Sequence, residues 1–207
     1  MGDRLTIYRG AARMLGNHRI ASLTEQTAMR SVLDDCWDSA VNYMLEQGLW
    51  NFALRTVELD FDTNVEPLFG YKYGFSKPAD WVRTQRVCDF PTLNSDFERW
   101  HDEAAYWYAD PEKLFITYVS NLPNYGWNIG AWRQHFCKAL EAYLAFEAAI
   151  AIPDDKGSRS DLFQLYKRRL ADAKIKDAAD EEVEYAPRGR LIRSRYGYGS
   201  RTYTRYR

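Results

Sequence analysis

Residues 22–54 read SLTEQTAMRSVLDDCWDSAVNYMLEQGLWNFAL, and within them the hydrophobic period changes from that of a helix to that of a strand. Met29, Val32, Leu33, Cys36, Ala40, Val41 and Met44 recur at three- and four-residue steps, with Arg30, Asp34, Asp38, Asn42 and Glu46 on the opposite side. This is the stripe of a helix with one face in a core. Ser22 and Glu25 stand at capping-box spacing, which predicts the start of the helix there. Gly48 is its expected C-cap. Trp50, Phe52 and Leu54 then alternate with Asn51, Ala53 and Arg55, a two-residue period.

Upstream, Leu5, Tyr8, Ala12 and Leu15 mark one face of a short helix that Gly16 and Asn17 end. Downstream, Gly70, Gly74, Pro78, Pro91, Pro111 and Pro123 punctuate short runs of Tyr, Trp, Phe and Val, which predicts a small β insertion. Its clearest element is a hairpin from Ala104 to Val119, turning at Asp110-Pro111-Glu112. Helical rhythm returns at Asn128 and runs through Trp132, Phe136, Ala139, Leu140, Tyr143 and Leu144 to Ile152, stopped by Pro153. Asp161 to Ala179, capped by Ser160, places Leu162, Leu165, Tyr166, Arg169 and Ala173 along a last, more exposed helix.

These elements predict a mainly α fold: a bundle of about four helices with a small antiparallel β insertion and an extended C-terminal arm. The chain divides into N-terminal bundle helices (1–54), a β-rich insertion (55–125), C-terminal bundle helices (126–180) and an acidic-then-basic tail (181–207). Apolar residues make up 46% of the chain, enough to offset the entropy of ordering a core.

The net charge of −1 conceals a split. Asp180, Glu181, Glu182 and Glu184 form an acidic run, and after Pro187 the tail carries seven Arg and no acid. The tail therefore holds +7 and the remainder −8. A basic end on an acidic body suggests two tasks. The N-terminus lacks a signal-peptide pattern, and the longest apolar segment, Ala139 to Ile152, is interrupted by Glu141 and Glu147 and falls short of a membrane span. No membrane association is expected.

Little in the chain points to catalysis. Cys36, Cys88 and Cys137 are odd in number and lack metal-ligand spacing, which fits small core residues in a reduced compartment. His18, His101 and His135 lie in different elements and form no ligand pair. Gly10, Gly16, Gly48, Gly70, Gly74 and Gly126 stand singly rather than in a phosphate-binding loop. The pairs Asp34-Asp35 and Asp60/Asp62 read as a solvated helix face and a loop. No catalytic, cofactor-binding or metal-binding residue is expected, and the chain is not expected to be an enzyme.

The tail is the sharp feature. Arg188, Arg190, Leu191, Ile192, Arg193, Arg195, Tyr196, Tyr198, Arg201, Tyr203, Arg205, Tyr206 and Arg207 are the candidate partner-binding residues. Arg and Tyr are the anchors that dominate protein interfaces, and a segment that orders on binding can cover a large acidic surface. The same residues suit nucleic acid, with guanidinium groups on phosphates and tyrosines stacked on bases.

The order of elements resembles the tail tubular protein A, or head-to-tail adaptor, family of short-tailed bacteriophages. The likeness is carried by Ala28 to Ala53, Lys77-Pro78-Ala79-Asp80-Trp81-Val82-Arg83, the strand Phe115 to Val119 and Trp132 to Ala149, and it covers residues 4 to 180. The resemblance implies a structural virion protein made in the host cytoplasm. Twelve copies form a ring under the portal protein and offer a platform to the tail or nozzle protein below. DNA passes through its channel without sequence-specific binding, and an acidic body would let it slide. In related adaptors the C-terminal segment reaches the portal, a role that here falls to Arg188–Arg207.

Overall fold

The computed structural model describes residues 3–16, 19–91, 99–151 and 156–180. Four α-helices, α1 (Arg4–Met14), α2 (Ala28–Glu46), α3 (Gln134–Ala148) and α4 (Lys156–Ala179), enclose one core. Six strands, β1 (Leu54–Asp60), β2 (Tyr73–Ser76), β3 (Trp81–Cys88), β4 (Trp100–Glu103), β5 (Tyr106–Ala109) and β6 (Lys113–Ser120), form two three-stranded antiparallel sheets. The fold is thus mixed α/β rather than mainly α, because the central segment builds a second core instead of a hairpin resting on the bundle.

The helices follow their apolar stripes with local corrections. Asp3 caps α1 by accepting from the N–H groups of Leu5 and Thr6. The buried face of α1 is Ile7, Tyr8, Gly10, Ala11 and Ala12, so Leu5 and Leu15 lie at its margin. Gly10 is required by close approach: a Cβ there would lie 2.3 Å from Cδ of Glu141 on α3. α2 starts at Ala28, not beside Ser22, because Thr27 supplies the cap to Arg30 N–H while Glu25 accepts from Ala21 N–H in the preceding loop. Its C-cap is Gln47, with ordinary right-handed φ, and not Gly48. Trp37, absent from the expected stripe, is buried and meets Tyr8 edge-on at 5.4 Å. Asp34 is held by Arg4, Arg30 and the Tyr8 hydroxyl rather than standing as a free solvated carboxylate.

α3 begins six residues later than its periodicity suggested, since Ile129–Ala131 form a 3-10 turn and Trp132 is extended. It carries nine buried residues and packs between α1, α2 and α4. Phe136 is central, with Trp50, Phe52 and Trp132 at 4.9, 4.9 and 5.1 Å. α4 starts upstream of Ser160, which is therefore an exposed helical residue and not a cap.

The Asp110-Pro111-Glu112 turn joins two sheets instead of closing a hairpin. β5 pairs with β2 and β4, whereas β6 pairs with β1 and β3. Trp107 and Ala109 of one sheet and Leu114, Ile116 and Tyr118 of the other share the second core with Phe75 and Val87. Placing these side chains face to face buries both apolar surfaces, which a lone pair of adjacent strands cannot do. β6 serves both cores, because alternation turns Val119 toward the helices and Leu114, Ile116 and Tyr118 toward the other sheet. Trp50, Phe52 and Leu54 do not begin a strand together: Asn51–Ala53 form a 3-10 turn and β1 starts at Leu54.

Candidate docking surfaces

Lys77-Pro78-Ala79-Asp80-Trp81, the segment joining the two sheets, positions a buried polar hub. Asp80 is 8% exposed and accepts from both sides: Arg55 Nη1 at 2.9 Å to each oxygen, Ser120 Oγ at 2.6 Å and Tyr118 OH at 3.1 and 3.2 Å. Burial opposes its charge, but the bonds from Ser120, Arg55 and Tyr118 outweigh that and hold the carboxyl below its ordinary range. Burial and the bond to Asp80 correspondingly keep the Tyr118 proton in place. The Lys77 ammonium pairs with Asp102 and lies 3.6 Å from the Trp81 ring centroid. Thr84 Oγ1 accepts from the indole N–H groups of Trp81 and Trp107 and donates to Asp102. These groups satisfy one another, so the hub fixes the sheets together and offers no free reacting atom.

The basic tail follows α4, whose last turn is pinned to the junction between helices and sheets. Asp177 accepts the backbone N–H of Asn51 at 3.0 Å, Asn51 Nδ2 donates to Asp177 O at 2.8 Å, and Asp180 pairs with Arg133 at 3.4 Å. A groove of about 560 Å³ opens beside this anchor, lined by Asn51, Phe52, Gly130, Trp132, Arg133 and Gln134. All thirteen expected partner-binding residues, Arg188 to Arg207, lie outside the described residues, as does His18.

A second surface crosses α2, α3 and α4. Tyr43 stacks on Tyr143 at 4.6 Å, Tyr143 packs over the buried Tyr166 at 5.0 Å, and Phe146 meets Phe163 at 5.1 Å. Lys167 and Arg159 lie over Phe163 and Phe146, giving this aromatic belt a basic margin. A third surface is the end of the sandwich, where Phe61, Phe69 and Phe90 are exposed. None of these aromatic surfaces could be assembled from sequence, since each draws on residues distant along the chain.

His101 lies in β4, 6.3 Å from the Tyr71 ring, and His135 lies in α3. Among the described residues, no group of three or more His, Cys, Asp or Glu side chains could hold a metal ion. Cys36, Cys88 and Cys137 form no disulfide among the described residues, and burial pushes the Cys137 thiol up to about 11. Among the described residues no helix is long and apolar enough to cross a membrane. No protein-family model matches the chain, and no curated protein is significantly similar to it.

Proposed function

We propose that this chain is a structural virion protein of a short-tailed bacteriophage: a head-to-tail adaptor that forms a ring, joins the portal to the tail and continues the DNA channel. The observation that carries the reading is the coincidence of the resemblance with the joints of the fold. Lys77, Asp80 and Trp81 hold the two sheets together, and Trp50 to Ala53 link α2 to β1 beside the anchored end of α4. Residues that set how helices, sheets and tail are joined are those an assembly protein needs in fixed relation.

In this reading twelve copies form the ring, Arg188–Arg207 dock on the portal, and the opposite side receives the tail or nozzle protein. Ordering a tail costs about 1 to 2 kcal/mol per residue in backbone entropy, which its Arg and Tyr contacts must offset. Twelve arms acting at high effective concentration make weak single contacts cumulative. The proposal assigns no reaction and no cofactor.

The mass of the purified protein, alone and with portal rings from the same source, tests the reading. A stoichiometric ring on the portal is expected. Failure to join the portal, alone or assembled, overturns it.

A second reading is favoured by one observation, the seven Arg and four Tyr of residues 188–207. A nucleic-acid-binding protein would use them on phosphates and bases, and its affinity would fall steeply with salt as counterions are released. Binding to DNA that survives deletion of this tail would remove that reading.

A further inference from the structure

The end of the sandwich farthest from the helices is an aromatic rim with an acidic border. Strand register places it. Leu54 faces Val119 and Trp81 faces Ser120 near the helical core, whereas Asp60 faces Lys113 and Cys88 faces Phe115 at the opposite end. In the second sheet, Tyr73 and Trp100 flank Ala109 at that same far end. Phe61 and Phe90 follow strand ends there, Phe69 lies in the loop between β1 and β2 beside the Gly70–Arg99 bond, and the three are 36%, 60% and 101% exposed respectively. Single exposed apolar residues are ordinary, but three phenylalanines at one end form a surface that a partner can cover.

Among the described residues, Glu58, Asp60, Asp62, Glu66, Asp89, Asp110 and Glu112 lie in or beside the strand ends and loops here, against Lys72, Arg99 and Lys113. Arg99 shows what the rim can hold. Its guanidinium donates to Gly70 O at 2.8 Å, pairs with Asp110 at 3.3 Å and lies 6.0 Å from the Tyr71 ring centroid. A guanidinium is thus met by a carbonyl, a carboxylate and an aromatic face together.

We propose that this rim is the resting site of the basic segment Arg188–Arg207 of the same chain. The segment brings +7 and four tyrosines to a surface whose described carboxylates outnumber its cations and which bears exposed phenylalanines. Length agrees with charge. The end of α4 is fixed near the helical end of the sandwich through Asp177 and Asn51. The eight-residue strand β6 spans about 26 Å at about 3.3 Å per residue. Residues 181–187 have a maximum reach of about 23 to 25 Å, nearly the length of β6, so the tether is long enough to bring the arginines to the rim. Tethering holds the segment there at high effective concentration. The stowed tail is shielded from other acidic surfaces until a partner competes for it. This inference concerns the free chain and does not depend on the adaptor reading.

The test uses the full chain with a photo-crosslinking benzoylphenylalanine in place of Phe69, whose side chain is fully exposed. Irradiation of the dilute protein is expected to join position 69 to residues 188–207 within one chain, as mapped by mass spectrometry. Raising the salt to 0.5 M, or the paired substitutions Glu66→Lys and Glu112→Lys, should lower the yield about fivefold or more. Adducts elsewhere, adducts only between two chains, no adduct, or a yield indifferent to charge reversal would each overturn the proposal. Circular dichroism of the Lys variant verifies that its fold is retained. Portal binding is measured separately, so either reading can fail alone.

Discussion

Arg55 and Asp80 join the first strand of one sheet to the linker that leads into its third, with one guanidinium nitrogen 2.9 Å from both carboxylate oxygens. The Asp80 side chain is 10% exposed and that of Arg55 30%. Removing the carboxylate leaves Arg55, Tyr118 and Ser120 without their shared acceptor. Asp80→Ala should cost about 3 kcal/mol, and Asp80→Asn less, because an amide oxygen still accepts. Urea unfolding at pH 7 measures both.

The lowered carboxyl of Asp80 also gives a pH dependence of definite sign. Its folded value lies below its ordinary value, so its stabilisation is complete above the ordinary carboxylate range and fades as pH falls through the lowered value. The stability gap between wild type and Asp80→Asn should therefore narrow between pH 6 and pH 2. A gap that stays constant across this range would show that the hydrogen bonds, and not the charge, account for the difference.

Gly10→Ala tests helix propensity against packing. In an exposed helix this change stabilises by about 1 kcal/mol. Here the new methyl would meet Glu141, which is 2% exposed and tied to Lys138 at 2.8 and 2.9 Å, so it cannot swing into solvent without breaking that pair. The substitution should destabilise by about 1 to 3 kcal/mol, read as a lower Tm. A rise in Tm would mean that α1 and α3 separate at little cost.

α1, α2 and α4 were legible because each buries one stripe, as Leu33, Ala40, Val41 and Met44 do in α2, and α3 because it is apolar on most faces. The sheets were not, for three physical reasons. β2, β4 and β5 have only four residues each, too few to display a period. Register shifts between Trp81 and Arg83 and between Thr84 and Arg86 break the alternation of β3. The Asp110-Pro111-Glu112 turn carries hairpin chemistry yet links two sheets, a distinction that depends on which strands lie alongside and so on residues as remote as Leu54 and Trp100. The basic tail was legible by composition alone, whereas the rim and the aromatic belt exist only once the chain has folded.

The thiols should react in an order set by burial. Cys36 is half-buried, while Cys88 and Cys137 are buried, and burial raises Cys137 to about 11. At pH 8 an alkylating reagent should modify Cys36 first in the native protein, although burial also raises that thiol and slows it. Cys137 should react only in denaturant. Native-state modification of Cys137 at a rate near that of Cys36 would indicate that α3 opens locally.

Deleting Arg188–Arg207 separates the fold from the docking role assigned to the tail. α4 is held by Leu162, Tyr166 and Ala173 in the core and by the Asp177–Asn51 pair, all upstream of the deletion. Removing the tail should leave the body folded, with any loss of unfolding free energy limited to the tail's own contacts on the rim, about 1 kcal/mol or less. Seven arginines leave with it, so any association that depends on them should be lost together with its salt sensitivity. Titrating portal rings with the shortened and complete chains at two salt concentrations decides the matter. Equal binding by the shortened chain would move the portal contact onto the folded body, where the groove beside Asn51 and Arg133 and the aromatic belt of Tyr43, Tyr143 and Phe146 are the surfaces to substitute next.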